Sequence, residues 1–212
     1  LLKTRDIINM KSNGFSLLYT AIGNIIDIKT IKLLIASGAN VNMIGNDNLN
    51  ATPLICACCH KNSNIETVKL LLDAGVDVNW QDNDGHSALH YIIIGTMQLP
   101  HLIDAAKLLV EYGADVNLVD IHKNTILKHY FDELKNHTAT FNFEMIKLLL
   151  EAGAILDINN GNVDTLLLYT SKFDEIKGDI EIVKLLIRHG ANVDASDTMY
   201  ITSLMYASKY SN

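Results

Sequence analysis

The chain has 212 residues, with 24 Asp and Glu against 17 Lys and Arg and a formal net charge of -7. A protein that grips nucleic acid displaces counterions from phosphates with a cationic stripe, so an acidic balance argues against that class. Apolar residues make up 49%, enough for a continuous core. No run approaches the roughly 18 to 20 uncharged apolar residues of a membrane span.

From the start of the chain, residues 1–9 (LLKTRDIIN) read as the tail of a repeated helix, with Arg5 where later copies have Gly. They do not read as a signal peptide, so nothing suggests secretion. The full copies follow: IKLLIASGANVN at 31–42, VKLLLDAGVDVN at 68–79, AKLLVEYGADVN at 106–117, IKLLLEAGAILD at 146–157 and VKLLIRHGANVD at 183–194. Recurrence at this spacing means a stacked array in which each unit touches only its neighbours. Each copy is an apolar helix ended by Gly38, Gly75, Gly113, Gly153 or Gly190, where the chain must pass through the left-handed region. The leucine pairs Leu33/Leu34, Leu71/Leu72, Leu108/Leu109, Leu148/Leu149 and Leu185/Leu186 are expected on the buried face.

A second family of segments alternates with these. SLLYTA from Ser16, TPLICA from Thr52, SALHYI from Ser87, TILKHY from Thr125, TLLLYT from Thr165 and TSLMYA from Thr202 each open with a hydroxyl residue suited to capping a helix. Pro53 stands at a first helical position, where its missing N–H is no loss. Asn13-Gly14, Asp84-Gly85 and Asn160-Gly161 supply turn chemistry ahead of some of these helices. Asp27, Asn64, Asn142 and Asp179 stand where second helices should be capped, and acid–lysine pairs such as Glu66/Lys69 and Glu181/Lys184 share an exposed face. The phenylalanines of the loop spanning Phe131 to Phe143 (Phe131, Phe141 and Phe143) either meet a partner or staple the loop to its own helices, and for some of them the staple is expected.

These residues resemble ankyrin repeats: QDNDGHSALHYI (81–92), TPLICA and GADVN (113–117) match that family's turn, first helix and post-helix motif, and the likeness spans the whole chain. The resemblance implies an all-α repeat solenoid of stacked helix–turn–helix units with β-turn fingers projecting from one edge. It makes residues 1–212 one ankyrin-repeat domain: a partial repeat at 1–9, repeats at about 10–42, 43–79, 80–117, 118–157 and 158–194, and a partial repeat at 195–212. With both ends partial, the simplest expectation is a stretch of a longer array.

Chemistry has few footholds. Cys56, Cys59 and His60 share a helix face, but all come from one turn without a clear fourth ligand, and Cys58 occupies a core position. No metal site and no cofactor are expected. The three crowded cysteines offer no disulfide framework and fit a reducing compartment. His90 fills the family's histidine place, where the imidazole ties a helix start to the turn. His86, one turn earlier, lacks the adjacent Glu of a zinc hydrolase helix. No catalytic residue is expected.

What remains is surface. By the resemblance, partners meet the finger tips and the face of the first helices. The finger positions are Trp80; Asn83, Asp84 and His86; Ile121, His122 and Asn124; Gly161, Asn162 and Asp164; and Thr198, Met199 and Ile201. On the first helices the corresponding residues include Cys59, His60, Ile94, Asp132, Glu133, Lys172 and Phe173. Trp80, the single tryptophan, is either a binding anchor or a ring lying across a neighbouring finger. The expected function is a non-enzymatic protein-binding module, a monomer with a protein partner and without nucleic acid or membrane. The long inter-helix loops and the Ile/Asn bias resemble ankyrin proteins of poxviruses and other large DNA viruses. That implies a cytoplasmic or nuclear role in the host, as an antagonist of innate signalling or a ubiquitin-ligase adaptor. The rival is the targeting arm of a larger enzyme or effector.

Overall fold

The computed structural model describes residues 7–12, 14–45, 49–59, 64–96, 102–135, 142–156, 166–172, 180–197 and 199–209. Two compact units divide the chain, Leu1–Ile126 and Leu127–Asn212.

The first unit opens with a two-residue hairpin, β1 (Lys11–Ser12) against β2 (Phe15–Ser16), pairing Lys11 with Ser16 and Ser12 with Phe15. Helix pairs follow: α1 (Leu17–Gly23) with α2 (Ile28–Ala36), α3 (Pro53–Cys59) with α4 (Ile65–Asp73), and α5 (Ala88–Thr96) with α6 (Leu102–Glu111). First helices stack on first helices, α1 on α3 and α3 on α5. Second helices stack likewise, α2 on α4 and α4 on α6. The second unit holds α7 (Ile126–Lys135), α8 (Phe143–Glu151), α9 (Leu166–Lys172), α10 (Ile180–Arg188) and α11 (Ser203–Lys209), with α9 packed on α10 and α11. Repeated helix pairs stacked in this way make a helical repeat solenoid.

The helix boundaries follow local chemistry. Ser16 accepts from the amide of Tyr19 at 3.1 Å, and Thr52 and Thr202 do the same for Ile55 and Met205. Asp27, Asn64 and Asn142 cap second helices through Thr30, Glu66 and Met145. Asp179 and Thr165 lie outside the described residues. All five helix-ending glycines have φ between 80° and 90°, the conformation a Cβ disfavours.

The leucine pairs meet the expectation in part: both members of Leu71/Leu72 and of Leu185/Leu186 are buried, and in Leu108/Leu109 and Leu148/Leu149 the second is. The residue four before the glycine is buried in four of the five copies: Leu71, Leu109, Leu149 and Leu186 are fully buried, and Leu34 is half-buried. Its predecessor varies, from Leu33 at 66% exposure to the buried Leu185. Neighbours on a helix point about 100° apart, so two adjacent leucines are both buried only where the packed face is wide. The true stripe joins that leucine to Ile31, Val68, Ala106 or Ile146 three residues earlier, each buried. On the first helices Leu18, Leu54, Leu89, Leu127 and Leu167 are each buried at the matching register, whereas Leu204 at the same register in α11 is 78% exposed.

Two further corrections concern neighbours. Glu66 reaches back one repeat to Lys32 at 2.7 Å instead of pairing with Lys69, while Glu181 and Lys184 pair within α10 at 2.8 Å as expected. Phe131 lies inside α7, not in the following loop, and is buried; Phe143 opens α8 and Phe141 is outside the described residues. Tyr130 also staples this stretch, its hydroxyl accepting from the amide of Asn142 at 2.7 Å.

In the first compact unit, three asparagines that close a repeat motif stitch it to the next repeat. Asn9 accepts from the amide of Asn40 at 2.7 Å and donates to Gly38 at 3.0 Å. Asn42 accepts from Asp77 at 2.8 Å, and Asn79 accepts from Asp115 at 2.8 Å while donating to Gly113 at 3.0 Å. These bonds satisfy loop amides and carbonyls that would otherwise need water.

Candidate interaction surface

Three of the fingers are each closed by one buried aspartate. The amide of Asp82 donates to His86 O at 3.0 Å, and its Oδ1 accepts from the amides of Asp84 at 3.0 Å and His86 at 2.9 Å. Asp120 repeats the pattern with Asn124, His122 and Asn124 again, and Asp197 repeats it with Ile201, Met199 and Ile201. The second oxygen is anchored from behind: Tyr91 donates to Asp82 at 2.7 Å and Tyr206 to Asp197 at 2.5 Å. Burial and then the Asp82 carboxylate push the Tyr91 phenol well above its ordinary range, because both oppose a second negative charge there. The third residue of each turn is left-handed: Gly85 at φ 78°, Lys123 at 64° and Tyr200 at 61°.

Successive fingers of the first unit are bonded to each other. Asn83 donates its amide to Leu49 O at 2.8 Å, and Ile121 donates to Asp84 O at 3.1 Å. The Gln81 side-chain amide spans Gly85 O at 2.5 Å and Val119 O at 2.8 Å. At Gly85 a Cβ would lie 2.7 Å from Asp120 Cα, so the fingers touch where only hydrogen fits. Trp80 lies across the preceding finger, its indole N–H donating to Asn50 O at 3.2 Å, and still leaves 36% of its surface exposed. The ring thus lies across a neighbouring finger, the second of the two readings, with one edge bonded to that finger and part of the ring facing solvent.

Of the residues expected at the tips, Asn83, Asp84, Ile121, His122 and Met199 are exposed, with Ile121 at 60% and Met199 at 67%. His86, Asn124 and Ile201 are half-buried, their amides held by the aspartate brackets. Gly161, Asn162, Asp164 and Thr198 lie outside the described residues. On the first helices Cys59 and Ile94 are exposed, and Asp132 accepts from Lys128. His60, Phe173 and the side chains of Glu133 and Lys172 are outside the described residues. Val119, 44% exposed beside the first unit's fingers, and Tyr200, 85% exposed on the finger that leads into α11, had not been singled out. The bracket aspartates were missed too, although Asp82, Asp120 and Asp197 each stand five residues before a helix-capping Ser or Thr.

The residues with chemical potential are placed plainly. Cys56 and Cys58 are buried, and burial raises the Cys58 thiol far above the reactive range. Cys59 is exposed and donates to Cys56 O. His90 is fully buried and accepts the Ser87 amide at Nδ1, 3.1 Å away, tying the start of α5 to its turn as expected. Among the described residues no helix is long and apolar enough to cross a membrane.

Stacked helix pairs with bracketed fingers define a helical repeat protein. Family models described as ankyrin repeats match residues 17–120, as three copies, and residues 164–198, as one. The chain belongs to the ankyrin repeat family, and as such is a protein–protein interaction module of a typically non-catalytic class. A protein of Acanthamoeba polyphaga mimivirus described as ankyrin repeat protein L86 is 35% identical over 71 residues, 33% of this chain and 12% of that relative. The likeness to ankyrin proteins of large DNA viruses thus has a mimivirus counterpart.

Proposed function

We propose that this chain is a non-enzymatic binding module that recognises a partner protein through its finger edge. The observation that supports this best is the pairing of exposed apolar side chains with a rigid turn. Ile121 is 60% exposed on a turn whose backbone is held by a buried carboxylate and by the adjacent finger. A preorganised edge loses little conformational freedom on association, so a modest patch is enough for binding. We further read the chain as a monomer that binds neither nucleic acid nor membrane and works in the cytoplasm or nucleus of an infected host. There it brings host proteins to a ubiquitin ligase or blocks innate signalling. Its similarity to the mimivirus relative supports a viral setting. A second reading is a targeting arm. The stretch of similarity covers 12% of that relative, which leaves ample room in such proteins for another activity.

Affinity capture with the intact protein, compared with Trp80→Ala and Met199→Ala variants of unchanged helical content, tests the edge. Loss of a specific partner in either variant supports it. Retention of every partner in both variants refutes it.

A further inference from the structure

We infer that the edge made by residues 77–86 and 115–124 selects a basic protein segment carrying a bulky apolar side chain. The inference rests on the finger-edge reading above and adds the chemistry of the partner. Within these two stretches five aspartates (Asp77, Asp82, Asp84, Asp115 and Asp120) stand against one lysine, Lys123. Asp77, Asp84 and Asp115 are exposed. The donors that hold the buried Asp82 carboxylate are two backbone amides and a tyrosine hydroxyl, which bind the charge without cancelling it. Interleaved with these acids are Trp80, Val119 and Ile121, at 36%, 44% and 60% exposure.

The two fingers form one surface. Asp84 O accepts from the amide of Ile121, and Gln81 bridges to Val119. Exposed large apolar groups gathered on a rigid edge are interface material, and they supply affinity by excluding water. The surrounding negative potential then selects among apolar partners: it attracts cations, and it repels acidic proteins, nucleic acid and anionic lipid alike. A Lys- or Arg-bearing segment with one large apolar residue satisfies both halves of the surface.

Trp80, the single tryptophan, provides the readout. Three labelled dodecapeptides serve as probes: alternating Lys/Leu, alternating Glu/Leu, and alternating Lys/Ser. Binding is followed by peptide anisotropy and by Trp80 emission. The Lys/Leu peptide should bind and shift the emission, more weakly as salt rises. The Asp84→Asn/Asp115→Asn double variant and Ile121→Ser should each weaken it about tenfold. Glu144→Gln, on α8 in the other unit, should leave it unchanged.

If the Glu/Leu peptide binds equally well and loses binding in Ile121→Ser, the charge preference is refuted while the finger edge stands. Equal binding of the Lys/Ser peptide reduces the effect to general polycation attraction and also refutes the inference. Lys/Leu binding indifferent to both Ile121→Ser and Val119→Ser overturns the inference and, with it, the edge reading for this unit. Failure of all three peptides to bind overturns the inference as well.

Discussion

The finger that leads into α5 and the finger that leads into α11 are closed by one device and differ at its most demanding residue. Asp82 and Asp197 make the same bonds in the two turns, down to the tyrosine that anchors each from behind. At the left-handed position the first has Gly85 and the second Tyr200. The bracket, not the glycine, therefore fixes the turn. Glycine is needed in the first finger for another reason, the approach of Asp120 Cα to within 2.7 Å of a would-be Cβ. Conformation and packing are separate demands here, and substitutions can pull them apart.

The largest effect should come from the bracket itself. Asp82→Ala removes the acceptor of two amides and a tyrosine hydroxyl in a buried setting. Leaving such donors unsatisfied should cost about 3 kcal/mol, read from urea unfolding. Cost below about 1 kcal/mol would mean that water or another group replaces the carboxylate, and that the bracket does not fix the finger.

Next comes Gly85→Ala, which tests packing. The left-handed penalty alone is about 1 kcal/mol, and the backbone contact should raise the total to about 2–3 kcal/mol. A loss no greater than the conformational penalty would show that the neighbouring finger yields freely.

Tyr91→Phe separates the anchor from the bracket. It removes a single hydrogen bond and should cost about 1 kcal/mol. It also carries a pH signature. Because burial and Asp82 raise the Tyr91 phenol, the folded state keeps its proton where the unfolded chain has lost it. Stability from this group is thus fully present below the ordinary tyrosine range near pH 10 and declines as pH rises above it. Unfolding free energy measured at rising alkaline pH should fall more steeply for the parent chain than for Tyr91→Phe. Parallel slopes would show that the phenol does not keep its proton in the fold.

Much of the fold was legible because its signals are local. Ser16, Asp27, Asn64 and Asn142 cap the helices they precede, and the five glycines end the helices they follow. What escaped depends on stacking. Asn42 and Asn79 look like ordinary loop residues until the next repeat brings Asp77 and Asp115 against them. Glu66 has Lys69 three residues away in sequence, yet the neighbouring helix offers Lys32. The bracket aspartates fall between these cases. Their fixed offset from the capping hydroxyl was visible, but nothing in the sequence told a buried acceptor from a solvated tip. In the first finger Lys11 takes that position and pairs with Ser16 in a hairpin, which broke the pattern where it would first be sought.

The smallest effect is the sharpest test of the comparison. In Tyr200→Gly the left-handed strain of about 1–2 kcal/mol is relieved. Glycine's greater freedom in the unfolded chain takes back about 0.5–1 kcal/mol. The net should be a gain of about 0.5 kcal/mol, seen as a small rise in Tm, because the 85% exposed ring has little packing to lose. Gly85→Tyr, the reciprocal change, should be far more damaging than Gly85→Ala, since its ring would have to pass the Asp120 backbone. If Tyr200→Gly lowers Tm instead, the phenol contributes to the fold, and the two fingers differ in more than one residue's demand for space.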